Sequence, residues 1–189
     1  MTTPEAGPRR GGPLESRPKP EPVEGSDAER YAAPIASLYE KTWLATYPNE
    51  ELGITEADLA SNFSDAEAAH ERWRAVLEDP AHRTWIVPNA DQSIAGFCVA
   101  RHGEDENELE YLYVSPDAQG RGVGSALIQE ALAWLGTDKP VVLYGAAYNA
   151  NAIAFYERFG FQLSHEVVPP KRLENGKELP SMKMVRPRG

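Results

Sequence analysis

The sequence predicts a mixed α/β (α+β) fold, and three observations carry that reading. Two apolar extended runs, 83–87 and 94–101, flank the turn Pro88-Asn-Ala-Asp91 and read as a hairpin. A third run, 108–114, enters a glycine-rich turn, a helix-periodic stretch at 122–135 and a short buried strand at 141–144. The 189 residues suffice for one domain with a full core and are short for two. A hairpin followed by a β-α-β unit gives a mixed sheet with helices against it.

Residues 1–28 read as a disordered tail, and 29–187 as the domain. The first 25 residues hold six prolines (4, 8, 13, 18, 20 and 22) and four glycines (7, 11, 12 and 25). Their large aliphatic side chains, apart from Met1, are Leu14 and Val23, too few to offset the entropy of ordering. From about Pro34 onward Ile35, Leu38, Tyr39, Thr42 and Trp43 recur at helical spacing until Thr46-Tyr-Pro-Asn49 breaks the pattern. A second helix opens at Ser64, where Ser64 and Glu67 have capping-box spacing, and its stripe is Trp73, Val76 and Leu77. Simple alternation in 108–114 turns Glu108, Glu110, Leu112 and Val114 one way and Leu109, Tyr111 and Tyr113 the other. A helix at about 150–159 follows the 141–144 strand. The last strands are 161–167 and 182–185, separated by a polar loop containing Asn175-Gly176.

Composition narrows the function. No run approaches the roughly 18 to 20 apolar residues of a membrane span, and the N-terminus lacks a charged-then-apolar leader pattern. A single cysteine, Cys98, forms no internal disulfide and builds no zinc site with four scattered histidines, so a reducing cytoplasm is the expected location and no metal is expected. Flanked by Phe97 and Val99, that cysteine reads as packing. The net charge of −10 is the opposite of what a duplex nucleic-acid binder shows, and favours cationic ligands.

The strongest chemical signal is Val114-Ser-Pro-Asp-Ala-Gln119-Gly-Arg-Gly-Val-Gly-Ser125, between a strand and a helix. Glycines let backbone amides approach an anion, and a helix N-terminus adds partial positive charge, so a pyrophosphate is the natural guest. Alone, the motif also reads as a tight turn. No Gly-Lys-Ser/Thr follows, which argues against a Walker loop, and the spacing is not that of a dinucleotide fingerprint.

A second segment, Asn149-Ala-Asn-Ala-Ile-Ala-Phe-Tyr-Glu-Arg-Phe-Gly-Phe161, follows the first after a helix and a strand. Together the two segments resemble the GNAT superfamily of acyl-CoA-dependent N-acyltransferases, over roughly residues 34–186. The resemblance implies a largely antiparallel mixed sheet flanked by helices and splayed at the acyl-CoA site. It implies that Gln119, Gly120, Arg121, Gly122, Val123, Gly124 and Ser125 hold the CoA pyrophosphate. It implies that Leu112, Tyr113 and Val114 pair through their backbone with the pantetheine arm, and that Asn149, with Asn151 able to share its role, contacts CoA. Tyr156 matches the family's general acid, which protonates the departing thiolate. Glu110 matches the base position of the polyamine-acetylating branch and Glu108 that of the histone-acetylating branch. Each residue keeps an ordinary reading beside this one: surface carboxylates for Glu108 and Glu110, a core aromatic for Tyr156, a helix N-cap for Asn149. The family also opens with a strand before the first helix, and none is legible here.

The expected activity is therefore transfer of the acetyl group of acetyl-CoA to the primary amine of a small molecule, by direct attack within a ternary complex. The alternatives are acetylation of a protein N-terminus or lysine, and a non-catalytic acyl-CoA-binding module. No nucleic-acid or membrane partner is expected; a homodimer is compatible with the sequence.

Overall fold

The computed structural model describes residues 18–189 apart from Ala90 and Gln92. The chain order is strand β1 (Glu21–Val23), helices α1 (Ala28–Thr46), α2 (Glu56–Ala60) and α3 (Ala66–Glu78), then strands β2 (His82–Pro88), β3 (Ile94–Arg101) and β4 (Asn107–Val114). Helix α4 (Val123–Leu135), β5 (Val141–Ala146), α5 (Ala150–Glu157) and β6 (Gln162–Leu163) follow, and then β7 (Lys171–Arg172), β8 (Glu178–Leu179) and β9 (Ser181–Arg186). One seven-stranded sheet runs β1-β2-β3-β4-β5-β9-β6, with every pair antiparallel except β4–β5. This is the mixed sheet the sequence predicts. One core lies between the sheet and α1–α3, around Ile35, Trp43, Trp73 and Phe97. The other lies under α4 and α5, around Leu127, Ile128, Leu143 and Phe161. No helix among the described residues is long and apolar enough to cross a membrane.

The N-terminal reading needs correction. A strand does precede the first helix: β1 pairs with β2, Pro22 opposite Trp85, and Val23 is buried at 5% exposure. Three residues, one of them proline, carry no alternation that sequence reasoning can detect; proline is tolerated there because β1 is the sheet edge. Helix α1 likewise begins two turns before Pro34, because Ala28 and Ala32, at 1% and 0% exposure, continue its buried stripe. Residues 1–17 of the expected tail lie outside the described residues. The register makes a prediction. Deleting 1–25 removes β1 and the burial of Val23, a loss of about 2 kcal/mol. The melting temperature should then fall by roughly 4–8 °C. Deleting 1–17 keeps the strand and should leave melting unchanged. Equal melting of both truncations and the full chain would show that β1 adds nothing to stability.

Caps differ from expectation in detail. Helix α3 is capped by Asp65, whose carboxylate accepts from the Ala68 amide at 2.9 Å, not by Ser64. The capping box forms instead on the unforeseen α2, between Thr55 and Asp58. The polar loop holding Asn175-Gly176 is a hairpin, β7–β8, whose Gly176 has φ +84°, as a tight strand-to-strand turn requires. Lys177 Nζ clips it to Asp58 at 2.6 Å, and Leu173 and Leu179 are buried beneath it.

Two features of β4 position the site. The pairing with β3 slips, so that Val99 faces Tyr111 while Ala100 faces Leu109, leaving Glu110 as the extra residue of a bulge. The bulge shifts the alternation by one. Leu109 joins Leu112 and Val114 on the α4 side, whereas Tyr111 and Tyr113 pack toward α1 and α3. The simple alternation expected over 108–114 is corrected on this point. Second, β4 meets β5 only at Asn107–Val141 and Glu108–Val142. Beyond Glu108 the two strands part.

Candidate functional site

The parting of β4 and β5 opens a cleft of about 880 Å³, at the roomy end of the range for small-molecule sites. Leu112, Tyr113 and Val114 form one wall, and Tyr144, Gly145 and Ala146 of β5 face them. The loop from Gln119 and the first turn of α4 close one end, α5 lies along another side, and the last turn of α1 contributes Thr42, Thr46 and Tyr47.

The α4 end of the cleft is built from backbone. Gly120 and Gly122 have φ of +74° and +85°, conformations that L side chains rarely adopt, and a Cβ at either would meet no atom within 4 Å. Gly122 is the N-cap of α4 and has no side chain to bond the first turn. The amides of Val123, Gly124 and Ser125 thus start the helix without a side-chain cap, beside the cleft, with the helix dipole behind them. Gly124 lies against α5, where a Cβ would meet the Phe155 ring at 3.4 Å, an ordinary contact distance. Gln119 lines the cleft and bonds the Val114 carbonyl at 3.3 Å. Arg121 is exposed and does not line the cleft.

Helix α5 presents Asn149 and Tyr156, seven residues apart and so on one face. Asn149 lines the cleft and is also the N-cap of α5, its Oδ1 accepting from the Ala152 amide at 3.1 Å. Asn151 and Tyr156 line the cleft as well. The Tyr156 ring meets Phe155 and Phe161 edge-on at 5.3 and 5.8 Å. Burial pushes its hydroxyl well above the ordinary tyrosine value, and the neighbouring Tyr47 and Cys98 push the same way. Across the cleft, the Tyr113 hydroxyl accepts from Trp43 Nε1 at 3.1 Å, and burial raises its pKa too.

Glu110, the bulge residue, lines the cleft; Glu108 does not. Arg101 holds both, its Nε donating to Glu110 Oε1 at 2.9 Å and Nη2 to Glu108 Oε2 at 2.8 Å. The second Glu110 oxygen stands 3.0 Å from His82 Nε2. Sequence reasoning does not find Arg101 and His82, because they reach Glu110 only through the β2–β3–β4 register, which sets His82 opposite Arg101 and Arg101 opposite Glu108.

The cleft thus joins an uncapped helix N-terminus, a splayed strand edge, a shielded tyrosine and a braced carboxylate. A family model of the acetyltransferase (GNAT) family matches residues 35–161. The chain belongs to that family. Among GNAT relatives, it is similar to a mycothiol acetyltransferase of Mycobacterium sp. (strain JLS), at 34% identity over 122 residues. That match covers 61% of this chain and only 37% of the relative, little more than a third of its length. An uncharacterized N-acetyltransferase of Mycobacterium tuberculosis is 29% identical over 150 residues, covering 74% of this chain and 85% of that one. The crystal structure of a PaiA N-acetyltransferase from Thermoplasma acidophilum in complex with coenzyme A matches with a TM-score of 0.60 at 20% identity. The match covers 89% of this chain and 99% of that one, and at that identity the likeness speaks for the GNAT fold alone.

Proposed function

We propose that the protein transfers the acetyl group of acetyl-CoA to the primary amine of a small-molecule acceptor, both substrates being bound together. The observation that carries this is the shared cleft: the uncapped amides of Val123 to Ser125, Tyr156 and Glu110 all open onto one space between β4 and β5. Those amides suit a pyrophosphate, and the free edge of β4 beyond Glu108 suits the amide-bearing pantetheine arm. The coenzyme A in complex with the Thermoplasma neighbour agrees with that donor, and the acetyltransferase names of the relatives agree with the reaction.

The reaction needs a neutral nucleophile, a held carbonyl and a proton for the leaving group. An alkylamine of pKa about 10.4 is only on the order of a thousandth neutral at pH 7. Glu110, directly or through water, takes its proton. Tyr156, shielded and still protonated, gives one to the CoA thiolate. Holding the two substrates in register supplies much of the remaining rate without a covalent enzyme intermediate.

The experiment has two arms. Calorimetry should find acetyl-CoA binding to the native protein and binding weakened about tenfold or more in Gly122→Val, which forces a branched side chain into a φ of +85° at the anion's approach. CoA release should be faster with putrescine, glucosamine or alaninamide than with lysine-bearing or N-terminal peptides. Unchanged affinity in a folded Gly122→Val removes the pyrophosphate assignment. Binding without turnover on any amine or peptide leaves an acyl-CoA-binding module.

A further inference from the structure

The side chains that brace Glu110 also connect it to the surface. His82 stands between two carboxylates, its Nε2 3.0 Å from Glu110 Oε2 and its Nδ1 3.0 Å from Asp79 Oδ2. Glu110 and His82 are largely shielded, at 19% and 13% side-chain exposure, whereas Asp79, just past α3, is 44% exposed. The charged groups against the imidazole are Asp79 from the α3 end and Glu110 from β4, with Arg101 of β3 bonded to Glu110 and, beyond it, to Glu108. Glu108 and Glu110 share the Arg101 guanidinium, and the imidazole lies between Glu110 and Asp79. Each ring nitrogen has one carboxylate oxygen at 3.0 Å, so the ring can carry its proton on either side. Histidine is the side chain suited to taking and releasing protons near neutral pH.

We propose that His82 positions Glu110 and serves as its proton outlet, passing the acceptor's proton to Asp79 and solvent. The proposal rests on the reading of Glu110 as the base. The ammonium N–H bond breaks, its proton goes to Glu110, and the freed nitrogen pair forms the C–N bond of the amide as the thioester C–S bond breaks and the CoA thiolate departs. Glu110 passes that proton to Nε2 of a neutral imidazole while the Nδ1 proton leaves toward Asp79 and water. A tautomeric exchange resets the ring. The second proton lost by nitrogen equals the one the CoA thiolate gains, so one proton leaves the protein in each turnover. Arg101, permanently charged, can hold the carboxylate but cannot accept from it.

Two readouts test the outlet. In protein labelled with ¹⁵N-histidine, Glu110→Gln and Asp79→Asn should each change the tautomer reported by the His82 ring-nitrogen shifts. Unchanged shifts in both variants overturn the proposal, whatever acceptor the protein uses. In turnover with acetyl-CoA and putrescine, glucosamine or alaninamide, His82→Gln should lower kcat about tenfold with KM for acetyl-CoA within about twofold. Added imidazole should restore part of the turnover of His82→Ala. Asp79→Asn keeps the oxygen that accepts from the Ala81 amide at 2.9 Å. It should therefore melt like the native protein while turning over several-fold slower. Native kcat in His82→Gln beside an impaired Glu110→Gln overturns the outlet and keeps Glu110 as base. Native kcat in both overturns the base and the outlet with it. A slow, less stable His82→Ala that imidazole does not rescue assigns the histidine to structure alone and overturns the proposal.

Discussion

Replacing Tyr156 with phenylalanine is expected to lower kcat by about ten- to a thousand-fold while acetyl-CoA affinity stays within about twofold. The variant is a clean one. It keeps the ring that packs on Phe155 and Phe161, and among the described residues no hydrogen bond of the Tyr156 hydroxyl is lost. Melting should therefore barely change, which separates a chemical role from a packing role. The direction of the pKa shift sharpens the test. Burial makes the phenolate costly, so the hydroxyl keeps its proton past the ordinary value of 10.0. It therefore stands ready as a donor across the working range, and no alkaline loss of kcat below about pH 10 should trace to it. The same shielding weakens it as an acid, but it also raises the proton affinity of a thiolate formed beside it. Undiminished turnover in Tyr156→Phe would return the residue to the core.

How much of this is legible in the sequence depends on distance along the chain. The glycine turn into α4 and the Asn149-to-Tyr156 spacing on α5 are local patterns, and both segments line one cleft. Local patterns also produce the hairpin β2–β3. The bulge is not legible, because a slip in pairing is decided by two strands together, and it changes which face Leu109 takes. The environment of Glu110 is hidden for the same reason. Arg101 lies nine residues away and His82 twenty-eight, and only the sheet register brings them to one carboxylate. Strand β1 leaves no signal because one buried valine beside a proline carries no period at all. Asp58 has a local partner in Thr55, three residues back, but its tie to Lys177 spans 119 residues and leaves no pattern. Its contacts with Lys177 and Thr55 hold its carboxyl well below the usual range, and they clip the β7–β8 hairpin in place.

The choice between the two carboxylates turns on that register, and it leads to the second large effect. Glu108 shares Arg101 but stays outside the cleft wall, whereas the bulge carries Glu110 into it. Under the proposed reaction, Glu110→Gln should depress kcat/KM by about a hundredfold near pH 7, within the usual span for a general base. The loss should be greatest at low pH. There the acceptor is almost wholly protonated, and each unit of rising pH gives about ten times more neutral amine without help from the protein, up to a pKa near 10.4. Raising the pH should thus partly rescue Glu110→Gln. It should not rescue Tyr156→Phe, whose missing proton donor is unrelated to the state of the amine. Glutamine keeps an oxygen for the Arg101 Nε that now donates at 2.9 Å, so the bulge should survive the change, and native-like melting checks that it does. Glu108→Gln should stay near native rates. Should Glu108→Gln prove the impaired variant, with parallel pH profiles for Glu110→Gln and the native protein, the base is Glu108. Full activity in both variants and in their double would take the carboxylates out of the reaction and leave water or backbone carbonyls to accept the proton.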